Sequence, residues 1–289
     1  MKLQDRYALI TGASQGLGAE VARQYVAEGA SLLLCARSED KLREIKQELE
    51  PKLASGQRLA ICVTDIGETK DVDRLFALLT KIFPRLDILV NNAGIYGPFG
   101  VIEDVDWDKW VDGIKINLLG LVYTCRKAMP LFRQQGRGKI INISGGGAAN
   151  PMPRVSSYAA SKAAVVRFTE SLALECKDVG VDVNAVAPGA LMTRMTDQLL
   201  EAGPDKVGKA FFERMSKIAA EGGTPLDVGA RLCVFLGSSQ SNGITGKLIA
   251  AQWDRWEDWP VHLDALSASD VYTLRRITGR DRGLEWGDR

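Results

Sequence analysis

Short apolar runs alternate with longer amphipathic stretches along most of this chain. The runs at 7–11 (YALIT), 31–35 (SLLLC), 59–63 (LAICV), 87–91 (DILVN), 139–144 (KIINIS), 181–187 (VDVNAVA) and 246–251 (GKLIAA) read as strands. They are continuously apolar rather than alternating, the pattern of a parallel sheet covered on both faces. Segments 20–28, 39–50 and 72–83 carry apolar residues at helical spacing, and Pro51 and Pro84 punctuate the last two. Strand–helix–strand alternation predicts an α/β fold, a doubly wound, Rossmann-like parallel sheet of about seven strands flanked by helices. Right-handed crossovers place its ligand crevice at the carboxyl ends of the strands.

The periodic pattern covers residues 1–252, read as one nucleotide-binding and catalytic domain. Within it, 193–224 is polar and follows the sixth strand, where a long excursion reads as a lid over a substrate, or as a plain surface detour. Residues 253–289 form a Trp-rich extension, with Trp253, Trp256 and Trp259 every third residue. Such a cluster packs on its own domain or on a neighbouring subunit, or else lines the substrate site as an aromatic wall.

Composition narrows the classes. The 289 residues carry a formal net charge of +1, which gives no support for nucleic acid or an acidic surface as partner. Five scattered cysteines, Cys35, Cys62, Cys125, Cys176 and Cys233, show no metal-ligand spacing and read as buried thiols of a reducing compartment. His262 is the single histidine and lies in the tail, so no metal and no histidine-dependent mechanism is expected. No run reaches the roughly 18 apolar residues of a membrane span, and the first strand starts almost at the N-terminus, so the cytoplasm is the expected location.

The first strand runs into TGASQGLG, with Gly12, Gly16 and Gly18 at its turn. Glycines there permit a tight turn and let backbone amides approach a pyrophosphate at the helix N-terminus, with Ser14, Gln15 and Leu17 as candidate cofactor contacts and the Ser14 hydroxyl as a further donor to a phosphate. The second strand ends in CARSED, where an NAD site needs a carboxylate for the ribose hydroxyls. Ala36 stands there, followed by Arg37 and Ser38, groups that suit a 2′-phosphate. The expected cofactor is NADP(H). Asp65 and Ile66 close the third strand near an adenine, and Asn92, Ala93 and Gly94 offer small residues for a close nucleotide.

Tyr158 and Lys162 are four apart on one helix face. A phenol titrates at about 10 when unperturbed, and a nearby cation favours its ionised form, so the pair suits proton exchange between a carbonyl and an alcohol. TGASQGLG, Asp65, NNAG, Asn117 in KINLLG, IINIS, YAASK, PGALMT and ITGKL, in this order over about residues 5–250, resemble the compact short-chain dehydrogenase/reductase family. The resemblance implies that Tyr158 exchanges the proton with the substrate oxygen. It implies that Lys162 binds the nicotinamide ribose and lowers the tyrosine pKa, and that Asn117 helps hold a relay water. Pro188, Gly189, Leu191 and Thr193 would contact the nicotinamide carboxamide. The hydride would move between nicotinamide and substrate carbon, and the subunits would form a homodimer or homotetramer through helices around 107–133 and 156–177.

Two features depart from the family. Its usual serine, thirteen residues before the tyrosine, is Gly145 here, with Ser144 one position earlier. Adjacent strand residues face opposite ways, so a simple register aims Ser144 away from the substrate. Ser144 turned inward, backbone amides of Gly145, Gly146 and Gly147, or a water would each supply the missing donor. The second departure is the tail, which replaces a short terminal turn. The leading expectation is an NADP(H)-dependent enzyme on a small carbonyl or alcohol. The rival is a nucleotide-sensing protein with little turnover, which Gly145 alone supports.

Overall fold

The computed structural model describes residues 1–284 and 286, so positions 285 and 287–289 of the tail lie outside the described residues. Seven strands form one sheet: β1 (Tyr7–Thr11), β2 (Ser31–Ala36), β3 (Leu59–Val63), β4 (Ile88–Asn91), β5 (Gly138–Ile143), β6 (Val181–Ala187) and β7 (Leu248–Ala250). Every neighbouring pair is parallel, in the order β3-β2-β1-β4-β5-β6-β7. The order reverses between β1 and β4, which opens a crevice at their carboxyl ends. Helices α1 (Gly16–Ala27), α2 (Glu39–Leu49), α3 (Thr69–Ile82), α4 (Trp107–Ile114), α5 (Leu121–Gln135) and α6 (Ser156–Glu175) make the crossovers. Helix α1 starts at Gly16 and α3 at Thr69, both ahead of the apolar periodicity, because small and polar residues fill their first turns.

Both faces of the sheet are apolar, and period-two geometry divides the strands between two cores. Ala8, Ile10, Leu32, Leu34, Ile88, Val90 and Ile141 pack on one side, where α1 and α10 (Leu226–Gly237) cover them. Leu9, Leu33, Cys35, Leu89, Ile140, Val181 and Val183 face the other, under α3, α5 and α6. Between β4 and β5 the core turns polar at the crevice end. Asn91 Nδ2 donates to Asn142 Oδ1 at 2.9 Å, Thr124 Oγ1 donates to Asn91 Oδ1 at 2.6 Å, and Asn142 Nδ2 donates to Thr169 Oγ1 at 2.9 Å. All four residues are buried, so this satisfied chain ties two strands to α5 and α6 beside the site.

The excursion at 193–224 is helical: α7 (Arg194–Ala202), α8 (Pro204–Val207) and α9 (Lys209–Ala220). Leu199, Val207 and Met215 bury against Tyr96 and Phe99 of the loop after β4. Arg154 Nη1 donates to the Asp205 carbonyl at 2.8 Å, a second tie across the crevice mouth.

The tail folds back on its own domain. Trp256 and Trp259 are buried in the α1–α10 core, with Trp256 5.1 Å from Phe235 and Trp259 4.4 Å from Tyr272, ring centre to ring centre. Beyond α11 (Leu263–Ala268) the chain passes the outer edge of β7. Leu248 N donates to the Tyr272 carbonyl at 2.8 Å, Lys247 Nζ donates to the carbonyls of Ser269 and Val271, and Glu170 accepts from Leu274 N. The contrast in burial among the tail tryptophans sets a test. Trp256→Ala should lower unfolding stability by about 3–5 kcal/mol in urea melts, whereas Trp253→Ala, at a position 77% exposed, should stay within about 0.5 kcal/mol of wild type.

Candidate active site

The turn after β1 lies against the chain leaving β4 with no room to spare. A Cβ on Gly12 would fall 2.7 Å from Ala93 Cα, and one on Gly18 would fall 2.4 Å from both Asn92 Nδ2 and the Gly12 carbonyl oxygen. Gly12 also has φ +63°, which favours glycine. Hydrogen bonds hold the approach: Thr11 Oγ1 accepts from Asn92 N at 3.0 Å and Ala93 N at 3.1 Å, and Asn92 Nδ2 donates to the carbonyls of Thr11 and Gly12 at 3.0 Å. Helix α1 opens without a side-chain cap, since Gln15 instead accepts from Lys41 Nζ at 2.7 Å. Its first-turn amides therefore retain donor capacity toward an anion at the crevice.

A cleft of about 610 Å³ runs along the carboxyl ends of the strands. Ser14, Gln15, Gly16 and Leu17 line it from the turn after β1 and the start of α1, Asp65 and Ile66 from the end of β3, and Asn92, Ala93 and Gly94 from the end of β4. Pro188, Gly189, Leu191 and Thr193 line the opposite wall. Gly18 is the one glycine of the turn that stands behind the wall, packed on Asn92. Asp65 shapes its own turn by accepting from Gly67 N at 2.9 Å. At the far end lie Arg37 and Ser38, together with Lys41, which pattern alone does not single out because it reads as an ordinary charge in the first turn of α2. The uncapped helix end and the glycine cradle fit a dinucleotide.

At the other end, α6 presents Tyr158 and Lys162 one turn apart, both in the cleft wall. Lys162 Nζ donates to the Ile143 carbonyl at 2.8 Å and lies 5.6 Å from the centre of the Tyr158 ring. Burial lowers the Lys162 pKa to about 8. Burial, reinforced by Tyr96, pushes the Tyr158 phenol above its ordinary range, the direction opposite to that implied for a lysine-activated tyrosine. Asn117 is fully buried in a π-helical turn, Lys115–Gly120, between α4 and α5. Its Oδ1 accepts from Ile95 N at 2.8 Å, and its Nδ2 donates to the Ile95 carbonyl at 2.8 Å and Ser161 Oγ at 3.0 Å. It stands behind the wall and fixes the loop after β4 to α6. Widened turns of this kind recur at functional sites.

Ser144 Oγ donates to the Lys162 carbonyl at 3.3 Å, so its hydroxyl is engaged with the α6 backbone. Gly145 is extended, and a Cβ built on it would lie 2.3 Å from the Tyr158 hydroxyl oxygen. A serine on this backbone would drive its side chain into the phenol. Tyr96, Met192, Arg194, Met195, Met215 and Leu226 complete the space around the reactive end. The tail tryptophans Trp253, Trp256 and Trp259 are absent from the lining.

Comparison with known proteins agrees with this geometry. A family model described as short chain dehydrogenase matches residues 6–203. L-fucose dehydrogenase of Oryctolagus cuniculus is 36% identical over 241 residues, covering 82% of this chain and 81% of that protein. 3beta-Hydroxysteroid dehydrogenase 1 of Eggerthella lenta is 36% identical over 248 residues, covering 84% and 91%. The solved structure of a variant actinorhodin polyketide ketoreductase with NADPH superposes with a TM-score of 0.77 at 28% identity, covering 86% of this chain and 97% of that one.

The displaced lysine pKa has a consequence for stability. The buried amine sheds its proton at about 8 in the folded chain but near 10.5 when unfolded, so between these values the unfolded state binds more protons and stability rises with pH. The slope from one group is at most about 1.4 kcal/mol per pH unit. The stability of wild type minus that of Lys162→Met should rise with pH between about 8 and 10 in denaturant melts of the cofactor-free protein, because the buried thiols, which act in the opposite sense, are common to both chains; a difference that does not change with pH would place the proton elsewhere.

Proposed function

The chain belongs to the short-chain dehydrogenase/reductase family, an oxidoreductase acting on small alcohols or carbonyls, and from that footing we propose that it interconverts a carbonyl and a secondary alcohol with NADP(H). One observation carries the reading: a single cleft has a phenol and an amine at one end and two cations, Arg37 and Lys41, at the other. The cofactor, when bound, supplies or accepts the hydride. The amides that open α1 and the close-packed glycines hold its phosphates, Arg37, Ser38 and Lys41 take a 2′-phosphate, and Pro188, Gly189, Leu191 and Thr193 orient its reactive ring. Lys162 offers its amine to the ribose. Tyr158 gives its proton to the substrate oxygen in reduction and takes it back in oxidation. The raised phenol pKa favours the donor role, because the proton is present at neutral pH.

A nucleotide sensor with little turnover is not favoured, since the phenol and the amine are both in place and the relatives are named as dehydrogenases and reductases. We assign 1–252 to the catalytic unit with 193–224 as its lid, supported by the packing of Met215 on the loop that bears Tyr96, and 253–289 to a structural extension. Exposed Trp107, Val111, Leu119 and Leu174 on α4, the π turn and α6 support a homodimer or homotetramer through that face. Five free cysteines support the cytoplasm, and no helix among the described residues is long and apolar enough to cross a membrane.

The test follows NADPH oxidation with ketones and aldehydes, and NADP+ reduction with sugar and steroid alcohols. Tyr158→Phe should lower kcat by about 10²–10⁴-fold while NADPH affinity holds, and near wild-type turnover would overturn the acid–base assignment. Arg37→Asp should weaken NADPH roughly ten- to a hundredfold and improve NADH. An unchanged preference would remove Arg37 as the selector.

A further inference from the structure

Proton exchange at Tyr158 needs a partner that this cleft does not take from the expected place. In carbonyl reduction the substrate oxygen gains negative charge, and a second hydrogen-bond donor beside the proton source stabilises it. Position 145 carries no side chain, and Ser144 spends its hydroxyl on the Lys162 carbonyl. Gly145 also packs so near the Tyr158 oxygen that no added atom fits between them. That side of the phenol is closed by backbone, and the substrate oxygen must come from the open cleft.

The open cleft holds a second phenol. Tyr96 sits on the loop after β4, its ring 4.9 Å from the Tyr158 ring and inclined at 59°. Phe99 packs on it at 5.5 Å, and the 193–224 helices cover it with Met215. Asn117 pins the loop immediately before it through both backbone groups of Ile95. The ring is therefore held in place on several sides. Among the described residues no buried side-chain oxygen lacks a hydrogen-bond partner, and none of these residues bonds the hydroxyl of Tyr96 or Tyr158. Both hydroxyls are therefore open to solvent, and both residues line the cleft. Burial raises the pKa of Tyr96, against a smaller opposing effect of Arg214, so its hydroxyl keeps its proton and acts as a donor.

We infer that Tyr96 is a second catalytic residue, a phenol that donates a hydrogen bond to the substrate oxygen in place of the hydroxyl absent at Gly145. The inference rests on the carbonyl–alcohol reading above. Tyr158 moves the proton, and Tyr96 holds the oxygen without changing its own protonation. The substrate class follows: its reacting oxygen stands between two phenols, in a space where the thioethers of Met192, Met195 and Met215 outnumber the one further charged group, Arg194. A ketone with apolar flanks suits that space better than a free aldehyde sugar.

Tyr96→Phe keeps the ring and removes only the hydroxyl. With NADPH and cyclohexanone as probe, kcat should fall roughly 100-fold, the lower range for one oxyanion donor, while NADPH affinity by fluorescence titration stays at the wild-type value. A second readout needs no turnover. Para-nitrophenolate, a stable oxyanion, should bind the NADP+-loaded protein with a shift in its absorbance, and Tyr96→Phe should weaken it at least tenfold. Wild-type affinity for the probe in Tyr96→Phe, or no binding of the probe to wild type, overturns the inference and leaves Tyr96 as a wall of the pocket. The parent reading fails separately: full turnover in Tyr158→Phe sinks it, whereas an inactive Tyr158→Phe beside a fully active Tyr96→Phe sinks only the role of Tyr96.

Discussion

The closeness of two backbones at the switch point governs this molecule. The turn after β1 and the chain leaving β4 touch at Gly12, Asn92 and Ala93, with no volume for a side chain between them. Thr11 and Asn92 lock that contact with four hydrogen bonds. Because the contact is fixed, the amides of α1 open onto a cleft of set width, and the loop carrying Ile95 and Tyr96 departs at a set angle. Asn117 then transfers the same constraint to α6 through Ile95 and Ser161. The nucleotide end and the reactive end are parts of one braced frame.

Much of this was legible in the chain itself. All seven strands appear as apolar runs, since a sheet covered on both faces leaves no polar alternation to blur them. The residues of the glycine turn, of YAASK and of PGALMT announce themselves because their chemistry demands particular side chains at particular spacings. Boundaries were less legible. Helix α1 begins in the glycine turn, where the motif marks the start but neither hydrophobicity nor a capping side chain does. The helices of 193–224 were hidden for another reason. They are short and bury only a few side chains, so their polar faces dominate the pattern.

Lys41 and Tyr96 show a different limit. Each looks ordinary in sequence, one a lysine in a charged helix and the other an aromatic in a glycine-rich loop. Each acquires meaning only from a neighbour distant along the chain: Gln15 for the lysine, Tyr158 for the tyrosine. The direction of the Tyr158 pKa is of the same kind. Spacing alone suggests activation by Lys162, but the enclosing protein decides the balance, and desolvation dominates it.

The path of the tail along β7 bears on how the molecule meets others. A parallel sheet ends in a strand with unused donors and acceptors, an invitation to any passing extended chain. Here the Tyr272 carbonyl takes the Leu248 amide, and the Lys247 ammonium pins the neighbouring turn. The last strand is thus hemmed by its own polypeptide. The strand-like approach of a foreign chain is obstructed on that side by a segment that belongs to the fold itself.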